Sequence, residues 1–421
     1  MTLADLRAGH CAGATRLTIS EGLNEFPREV FDLADSLEIL DLSGNHLSTL
    51  PDDLGRLKNL RVLFASDNAF TILPEVLGSL PRLSQVGLRN NQLNTVSATA
   101  LPPSLRWLIL TGNAITVLPE ALGQCPLEKV ALAGNRLTEL PESLANCDHL
   151  ALLRISANPL RTFPEFLNQL PRLAWLAYGG SPLTEPAESR SLAEDQNPQW
   201  SWRDIQTSEV LGSGASGVIH AATGPDGEPL AIKVFKGALT SDGLPSSERA
   251  AWIAAGHHPH VIGLKARLTD HPTGAAGLVM PRIPRHYGRL ADPPSLQSCS
   301  RDVYADGTTF TNTQVGRLVG GIAAAAAHLH ERGLLHGDLY GHNILWDGHG
   351  HGVLGDFGAA TFMASDNRPL EVLAIGNLLE ELLDRVTEPD PGLLQLRSAC
   401  QQPRPGDRPT AIAVSQTLSG W

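Results

Sequence analysis

The sequence predicts two unlike parts in one chain: an α/β solenoid of short stacked coils, then an α+β domain of two lobes closing on a cleft. Three observations carry this. One leucine frame returns six times through the first half, at intervals of 22 or 23 residues. A glycine-rich run, Gly212 to Gly217, lies between two β-type stretches. Further on, one loop sets Asp338 and Asn343 five positions apart, with Asp356 thirteen residues after Asn343. Composition places the solenoid at 1–185, a linker at 186–201 and the second domain at 202–421.

A chain of 421 residues has room for two or three domains. No apolar run reaches the roughly 20 residues that cross a bilayer, and Met1-Thr2-Leu3-Ala4-Asp5-Leu6 lacks the basic-then-apolar order of a secretory leader. The expectation is a soluble, cytoplasmic protein without a membrane span. The net charge of −12 is shared by both halves and leaves no basic footprint, which argues against nucleic acid as a partner. Five cysteines, odd in number and without a C-x-x-C pair, argue against a disulfide framework and a zinc site.

The repeat frame reads Leu37-x-x-Leu40-x-Leu42-x-x-Asn45-x-Leu47-x-x-Leu50-Pro51, and recurs around Asn68, Asn91, Asn113, Asn135 and Asn158. A further copy at 173–183 puts Ser181 in the Asn slot, and Leu17-Thr18-Ile19 opens a shortened first one. Each coil is too small to shelter its leucines until neighbours stack on both sides. The Asn at the bend can bond backbone groups that the turn leaves unpaired. This pattern resembles the leucine-rich repeat, in its cytosolic bacterial and plant forms.

Cys125 and Cys147 fall twelve residues after an Asn, on an inward slot of adjacent coils, and read as core filling. Phe64, Trp107, Ile109, Leu152 and Trp175, among Asp41, Asp67, Arg89, Lys129 and Arg154, should line the concave face. Such a row suggests a surface covered by a protein partner, or by the second half of this chain.

In the second domain, Gly212, Gly214 and Gly217, followed by Val218, would let backbone N–H groups approach a phosphate without side chains in the way. A dinucleotide-binding turn uses the same triplet, but needs a βαβ unit and an acidic residue about 20 positions on; neither follows. Instead comes Leu230-Ala231-Ile232-Lys233-Val234. A lysine on an apolar strand needs a carboxylate partner. Between Lys233 and His260 the acidic residues are Asp242 and Glu248, and Glu248 alone begins a helical stretch, Ser247–Ala255.

With Leu335-His336-Gly337-Asp338-Leu339-Tyr340-Gly341-His342-Asn343-Ile344-Leu345, Asp356-Phe357-Gly358 and Arg408-Pro409-Thr410, residues 202–415 resemble the eukaryotic-type protein kinase family. The whole chain resembles a bacterial leucine-rich repeat protein fused to such a kinase. The resemblance implies a Mg²⁺- and ATP-dependent enzyme that transfers the γ-phosphate to a protein hydroxyl, of Ser or Thr ahead of Tyr, with the repeats recruiting the substrate or regulating transfer. It implies Asp338 as the base, Lys233 on the α/β-phosphates with Glu248 as its partner, and Asn343 and Asp356 as Mg²⁺ ligands. Leu211, Gly212, Gly214, Gly217, Val218, Ala231, Met280 and Ile283 would surround the nucleotide, with Leu278–Ile283 as the hinge. Pro281 there lacks an N–H, so adenine must bond farther along. A small-molecule kinase and an ATP-binding pseudokinase scaffold are the alternatives.

The chain departs from the family at telling places. Gly337 stands where the catalytic loop usually has Arg, Tyr340 where serine/threonine kinases carry Lys, and His342 where tyrosine kinases usually carry Arg. Twelve residues separate Gly358 from Glu371 and contain no A-P-E, so the activation segment is minimal and Arg408 lacks its usual Glu. Helices are expected over Thr313–Arg332 and Glu371–Arg385, with 285–312 largely irregular. The histidines at 257, 258 and 260 have no acidic or cysteine companion and read as a turn rather than a metal site.

Overall fold

The computed structural model describes residues 2–214, 216–240 and 242–421. The chain divides into two compact units, one of residues 1–153 and 158–170, the other of 154–157 and 171–421.

The first unit opens with helix α1 (Leu3–Arg7), closed at its start by a reciprocal Thr2–Asp5 capping box. Short strands follow one per repeat: β1 (Arg16–Thr18), β2 (Ile39–Asp41), β3 (Val62–Phe64), β4 (Gln85–Gly87), β5 (Trp107–Ile109) and β6 (Lys129–Ala131). They pair in parallel, in chain order. A short 3₁₀ turn returns the chain after each strand, entered through Pro27, Pro51, Pro74, Pro119 and Pro141 in five of these six coils.

The Asn frame explains why this repeats. Asn135 Oδ1 accepts the Ile115 N–H at 3.1 Å, and its Nδ2 donates to the carbonyls of Leu110 and Leu132 at 2.9 Å each. Asn45, Asn68, Asn91 and Asn113 bond the preceding coil in the same way. The frame leucines, among them Leu40, Leu63, Leu108 and Leu132, are fully buried. Cys125 and Cys147 are buried too, and burial pushes the Cys147 thiol up to about 11. Trp107 is 9% exposed, set edge-on to Phe64 and beneath the Lys129 ammonium, so the expected row of aromatics is half absorbed into packing.

Strand β7 (Leu152–Arg154) straddles the boundary, and β8 (Trp175–Ala177) lies wholly in the second unit. There Ile155 and Ala157 donate to the carbonyls of Ala177 and Gly179, 2.8 Å each. The stretch expected as an aperiodic linker contains helix α2 (Glu185–Ala193) and strand β9 (Gln199–Ser201). Its buried helical residues are Glu188 and Ser191, which bond Ser247 and the Ala250 carbonyl, so no apolar period marks it in the sequence.

Strands β10 (Gln206–Ser213), β11 (Gly217–Thr223) and β12 (Pro229–Phe235) precede helix α3 (Pro245–Ala255), then β13 (Ala266–Thr269) and β14 (Gly277–Pro281). They form one sheet in the order β10-β11-β12-β14-β13-β9. The helical part holds α4 (Asn312–Glu331), α5 (Arg368–Leu383), α6 (Pro391–Cys400) and α7 (Ala411–Thr417). The catalytic-loop segment runs into a 3₁₀ turn at Gly341–Asn343 and a hairpin of Ile344–Trp346 with Gly352–Leu354. Phe235, Trp252, Met280, Leu329 and Phe357 share one buried cluster beneath the cleft. Helix α5 starts three residues before the expected Glu371, because Pro369 suits a first helical turn.

Candidate active site

Strand β12 lies between β11 and β14, so both its edges are hydrogen-bonded. Side chains alternate along it, and the register sets Lys233 opposite Ile219 and Ala231 opposite Ala221 on the cleft side. Val218 pairs with Val234, one residue out of that phase. The cleft therefore takes Ile219 where Val218 was expected, since the strand alternation places Val218 on the opposite face.

The Lys233 side chain is only 6% exposed and forms an ion pair with Glu248, itself 2% exposed, in the first turn of α3. Its Nζ also lies 3.1 Å from Asp356 Oδ1. Burial works against the ammonium, but Asp356 and Glu248 outweigh it, so Lys233 stays protonated above its usual range. Burial pushes the Glu248 carboxyl up to about 7, with Lys233 pulling the other way. Asp356 is held below the usual carboxylate range: its surroundings oppose the charge and Lys233 overcomes them.

Lys233 and Asp356 line a cleft of about 420 Å³, together with Leu211, Gly212, Ile219, Ala231, Met280 and Ile283 among others. The glycine hairpin closes through Gly214 N–H to the Gly217 carbonyl at 3.0 Å; Ala215 within it lies outside the described residues. A Cβ on Gly217 would meet the Val234 carbonyl at 2.6 Å, so only glycine lets β11 approach β12 there. At the hinge, Arg282 N–H is taken by the Pro229 carbonyl at 3.2 Å.

In the catalytic loop, Asn343 Nδ2 donates to Asp338 twice, to the backbone carbonyl at 2.8 Å and to Oδ2 at 2.7 Å. That leaves the Asn343 amide oxygen for another partner. His336 is fully buried; its Nε2–H donates to the Gly355 carbonyl at 2.8 Å and its Nδ1 accepts Asp338 N–H at 3.3 Å. Phe357 packs between His336 and Trp252, with ring centroids at 5.1 and 4.4 Å. Asp356 just before it has φ +53°, a conformation rare outside glycine, which brings its carboxylate to Lys233.

The loop's other supports were not legible in advance. Gly337 has φ +71°, and a Cβ would fall 2.6 Å from the Ala359 carbonyl and 2.8 Å from that of Leu176. No larger residue fits, so the family's Arg has no place. Gly337 N–H donates to Glu371 Oε1 at 2.9 Å, and Glu371 Oε2 accepts from His330 Nε2 at 2.8 Å. His342 is anchored to Asp302 through its backbone N–H at 2.9 Å and Nδ1 at 2.7 Å. Burial opposes its charge, but the Asp302 bond raises the imidazole above its usual 6.5.

Three further supports come from repeat-type segments of the same unit. The Trp175 ring stacks on Tyr340 at 4.0 Å and 9°, and its Nε1–H donates to the Leu339 carbonyl at 2.9 Å. Tyr178 donates its hydroxyl to Asn367 Oδ1 at 2.6 Å and accepts Ala364 N–H at 2.9 Å. Arg154 donates to the Gly337 carbonyl at 2.9 Å, to Asp242 Oδ1 at 3.1 Å, and to Asp338 Oδ1. Burial disfavours the Arg154 charge, but Asp338 and Asp242 outweigh it and hold the guanidinium protonated above its usual range. The signal was present: at the third strand position the other coils carry Thr18, Asp41, Phe64, Gly87, Ile109, Ala131 and Ala177, and Arg154 is the lone cation.

Arg408, with no acidic partner among the described residues, donates to the carbonyls of Gln402, Pro369 and Pro171. Among the described residues no three or more His, Cys, Asp or Glu gather to hold a metal. A cation here would rest on a carboxylate and an amide oxygen, with phosphate oxygens and water completing its shell; this suits Mg²⁺ better than a closed protein cage would. Among the described residues no helix is long and apolar enough to cross a membrane.

Comparison with known proteins finds two families along the chain. Residues 205–376 match the family model of the protein kinase domain, and residues 36–57 that of the Leucine Rich Repeat. A probable serine/threonine-protein kinase of Arabidopsis thaliana is 29% identical over 105 residues, covering 25% of this chain and 13% of its own length. An L-type lectin-domain containing receptor kinase of Oryza sativa subsp. japonica is 27% identical over 182 residues, 42% of this chain and 24% of its own. A melanoma receptor tyrosine-protein kinase of Xiphophorus maculatus is 29% identical over 192 residues, 42% and 15%. The chain thus spans less than a quarter of the length of these three relatives. It combines a leucine-rich repeat region with a protein kinase domain.

Proposed function

We propose that the chain is a Mg²⁺- and ATP-dependent protein kinase that phosphorylates a hydroxyl of serine or threonine in a protein that its repeats recruit. The observation that carries this is the joined set of Lys233, Glu248 and Asp356 across from Asp338 and Asn343. Holding a buried lysine, a buried glutamate and a strained aspartate together is costly without a ligand that uses them.

When bound, ATP supplies the transferable phosphoryl group and Mg²⁺ neutralises charge on its oxygens. The apolar walls of the cleft, Leu211, Ile219, Ala231 and Met280, suit a purine face. Lys233, kept charged, would hold the α/β-phosphates, and Glu248 would aim it. Asp356 and the free amide oxygen of Asn343 would take the cation. Asp338, steered by Asn343, would orient the acceptor hydroxyl and receive its proton. Soluble-protein chemistry in the cytoplasm fits a chain of this charge and a protein-binding repeat surface.

A second reading, a small-molecule acceptor, draws on the short path from Gly358 to α5, which begins at Arg368 and leaves little platform for a peptide. One experiment separates the readings. Purified chain with γ-labelled ATP and Mg²⁺ should label itself or added casein, and Asp338→Asn should abolish the label. Turnover only with a metabolite present favours the second reading. Nucleotide binding without transfer to any acceptor would leave a pseudokinase and overturn both.

A further inference from the structure

The catalytic loop lacks two cations that its relatives' pattern supplies, since Gly337 and Tyr340 stand in those slots. Neither slot could take one back: a Cβ at 337 meets two carbonyls, and Tyr340 is 4% exposed beneath Trp175. A cation nevertheless reaches Asp338 from far along the chain. Arg154, 184 residues earlier in sequence, uses all three guanidinium nitrogens at this point: Nη2 on Asp338 Oδ1, Nη1 on the Gly337 carbonyl and Nε on Asp242 Oδ1.

We propose that Arg154 is a positioning residue for phosphoryl transfer. Its planar fork fixes Asp338 together with the Gly337 backbone, and ties both to the Asp242 loop that leads into α3, the helix bearing Glu248. The inference rests on the kinase reading above and adds to it the source of the missing charge. A guanidinium suits the task because its donors diverge in one rigid plane, which an ammonium cannot match.

Two observations make this a permanent support rather than a removable plug. The contact belongs to a core: Trp175 is 2% exposed, Tyr178 fully buried and the Arg154 side chain 4% exposed. The base also stays accessible. Asp338 keeps 21% of its side chain exposed. Its two oxygens offer about four acceptor sites; Arg154 and Asn343 take one each, which leaves room for an acceptor hydroxyl.

The test is steady-state transfer from γ-labelled ATP–Mg²⁺ to casein or to the chain itself, in full-length protein. Arg154→Ala should lower kcat about 100- to 1000-fold, the range for losing one preorganised hydrogen-bond donor, while KM for ATP moves less than about three-fold, because Lys233 and Glu248 are untouched. Added methylguanidinium should restore part of kcat in Arg154→Ala, which a general loss of structure would not allow. Arg154→Lys keeps the charge and guards against misfolding of the alanine variant; it should lose about ten-fold in kcat. A kcat in either variant equal to wild type overturns the role, and a higher one shows that Arg154 blocks Asp338. Wild-type chain that transfers to no acceptor removes the kinase reading, and this role with it. Wild-type transfer with an unaltered Arg154→Lys removes this role alone.

Discussion

Replacing Trp175 by alanine probes how firmly the catalytic loop is seated. The indole is 2% exposed, so almost its whole area is removed from water. At about 200 Å² for a tryptophan and about 25 cal/mol per Å², burial contributes about 5 kcal/mol. Losing the Nε1–H bond leaves the buried Leu339 carbonyl without that donor, a further cost of about 1 kcal/mol. Partial collapse around the vacated site recovers some of this, and truncations of this size cost about 3–5 kcal/mol. The expected loss is therefore about 4–5 kcal/mol, a large share of a domain's usual 5–15 kcal/mol. Trp175→Phe keeps a ring against Tyr340 but not the N–H bond, and should lose about 1–2 kcal/mol. Urea unfolding followed by hydrogen-exchange mass spectrometry separates the second unit from the repeats and reads both values. A loss below about 1.5 kcal/mol in Trp175→Ala, or equal losses in the two variants, would refute the claim that this stack and its hydrogen bond seat the loop.

Gly337→Ala adds a Cβ between two backbone carbonyls at a positive φ, and should cost about 2–4 kcal/mol in the same unfolding experiment. Asn135→Ala removes two bonds to the preceding coil and one within its own, and should cost about 2–4 kcal/mol, with lost exchange protection confined to the first unit. The His342–Asp302 bond gives a pH dependence of definite sign. The folded imidazole titrates above its unfolded value of 6.5, so its stabilisation is full below pH 6.5 and is lost as pH rises through the folded value. Stability curves taken from pH 6 upward should fall in wild type and flatten in His342→Asn.

Much of the fold was legible because its signals are local. The Asn frame writes one hydrogen-bond pattern into every coil, and Lys233 on an apolar strand demanded Glu248 from the next helix. Strand phase was misjudged at Val218, where one residue decides which face meets the cleft. Helix α2 escaped notice because Glu188 and Ser191 anchor it through polar bonds, without an apolar stripe. Arg154, Trp175 and Asp302 were illegible as site residues for a different reason. Their roles arise from contacts across 184, 164 and 40 positions, which no local spacing encodes. The vacant cation slots at Gly337 and Tyr340, and a lone cation at position 154 among the third strand positions of the coils, were the hints that such a contact was needed.

The proposed kinase activity requires a divalent cation held by Asn343 and Asp356 against the phosphates of a nucleotide in the cleft. The most direct test is equilibrium binding of ATP by calorimetry across a Mg²⁺ titration, in wild type and in Asp356→Asn. Mg²⁺ should tighten ATP binding at least about ten-fold in wild type, and the variant, deprived of the anionic ligand, should lose that dependence. Equal Mg²⁺ dependence in the two proteins, or ATP binding in neither, would contradict it.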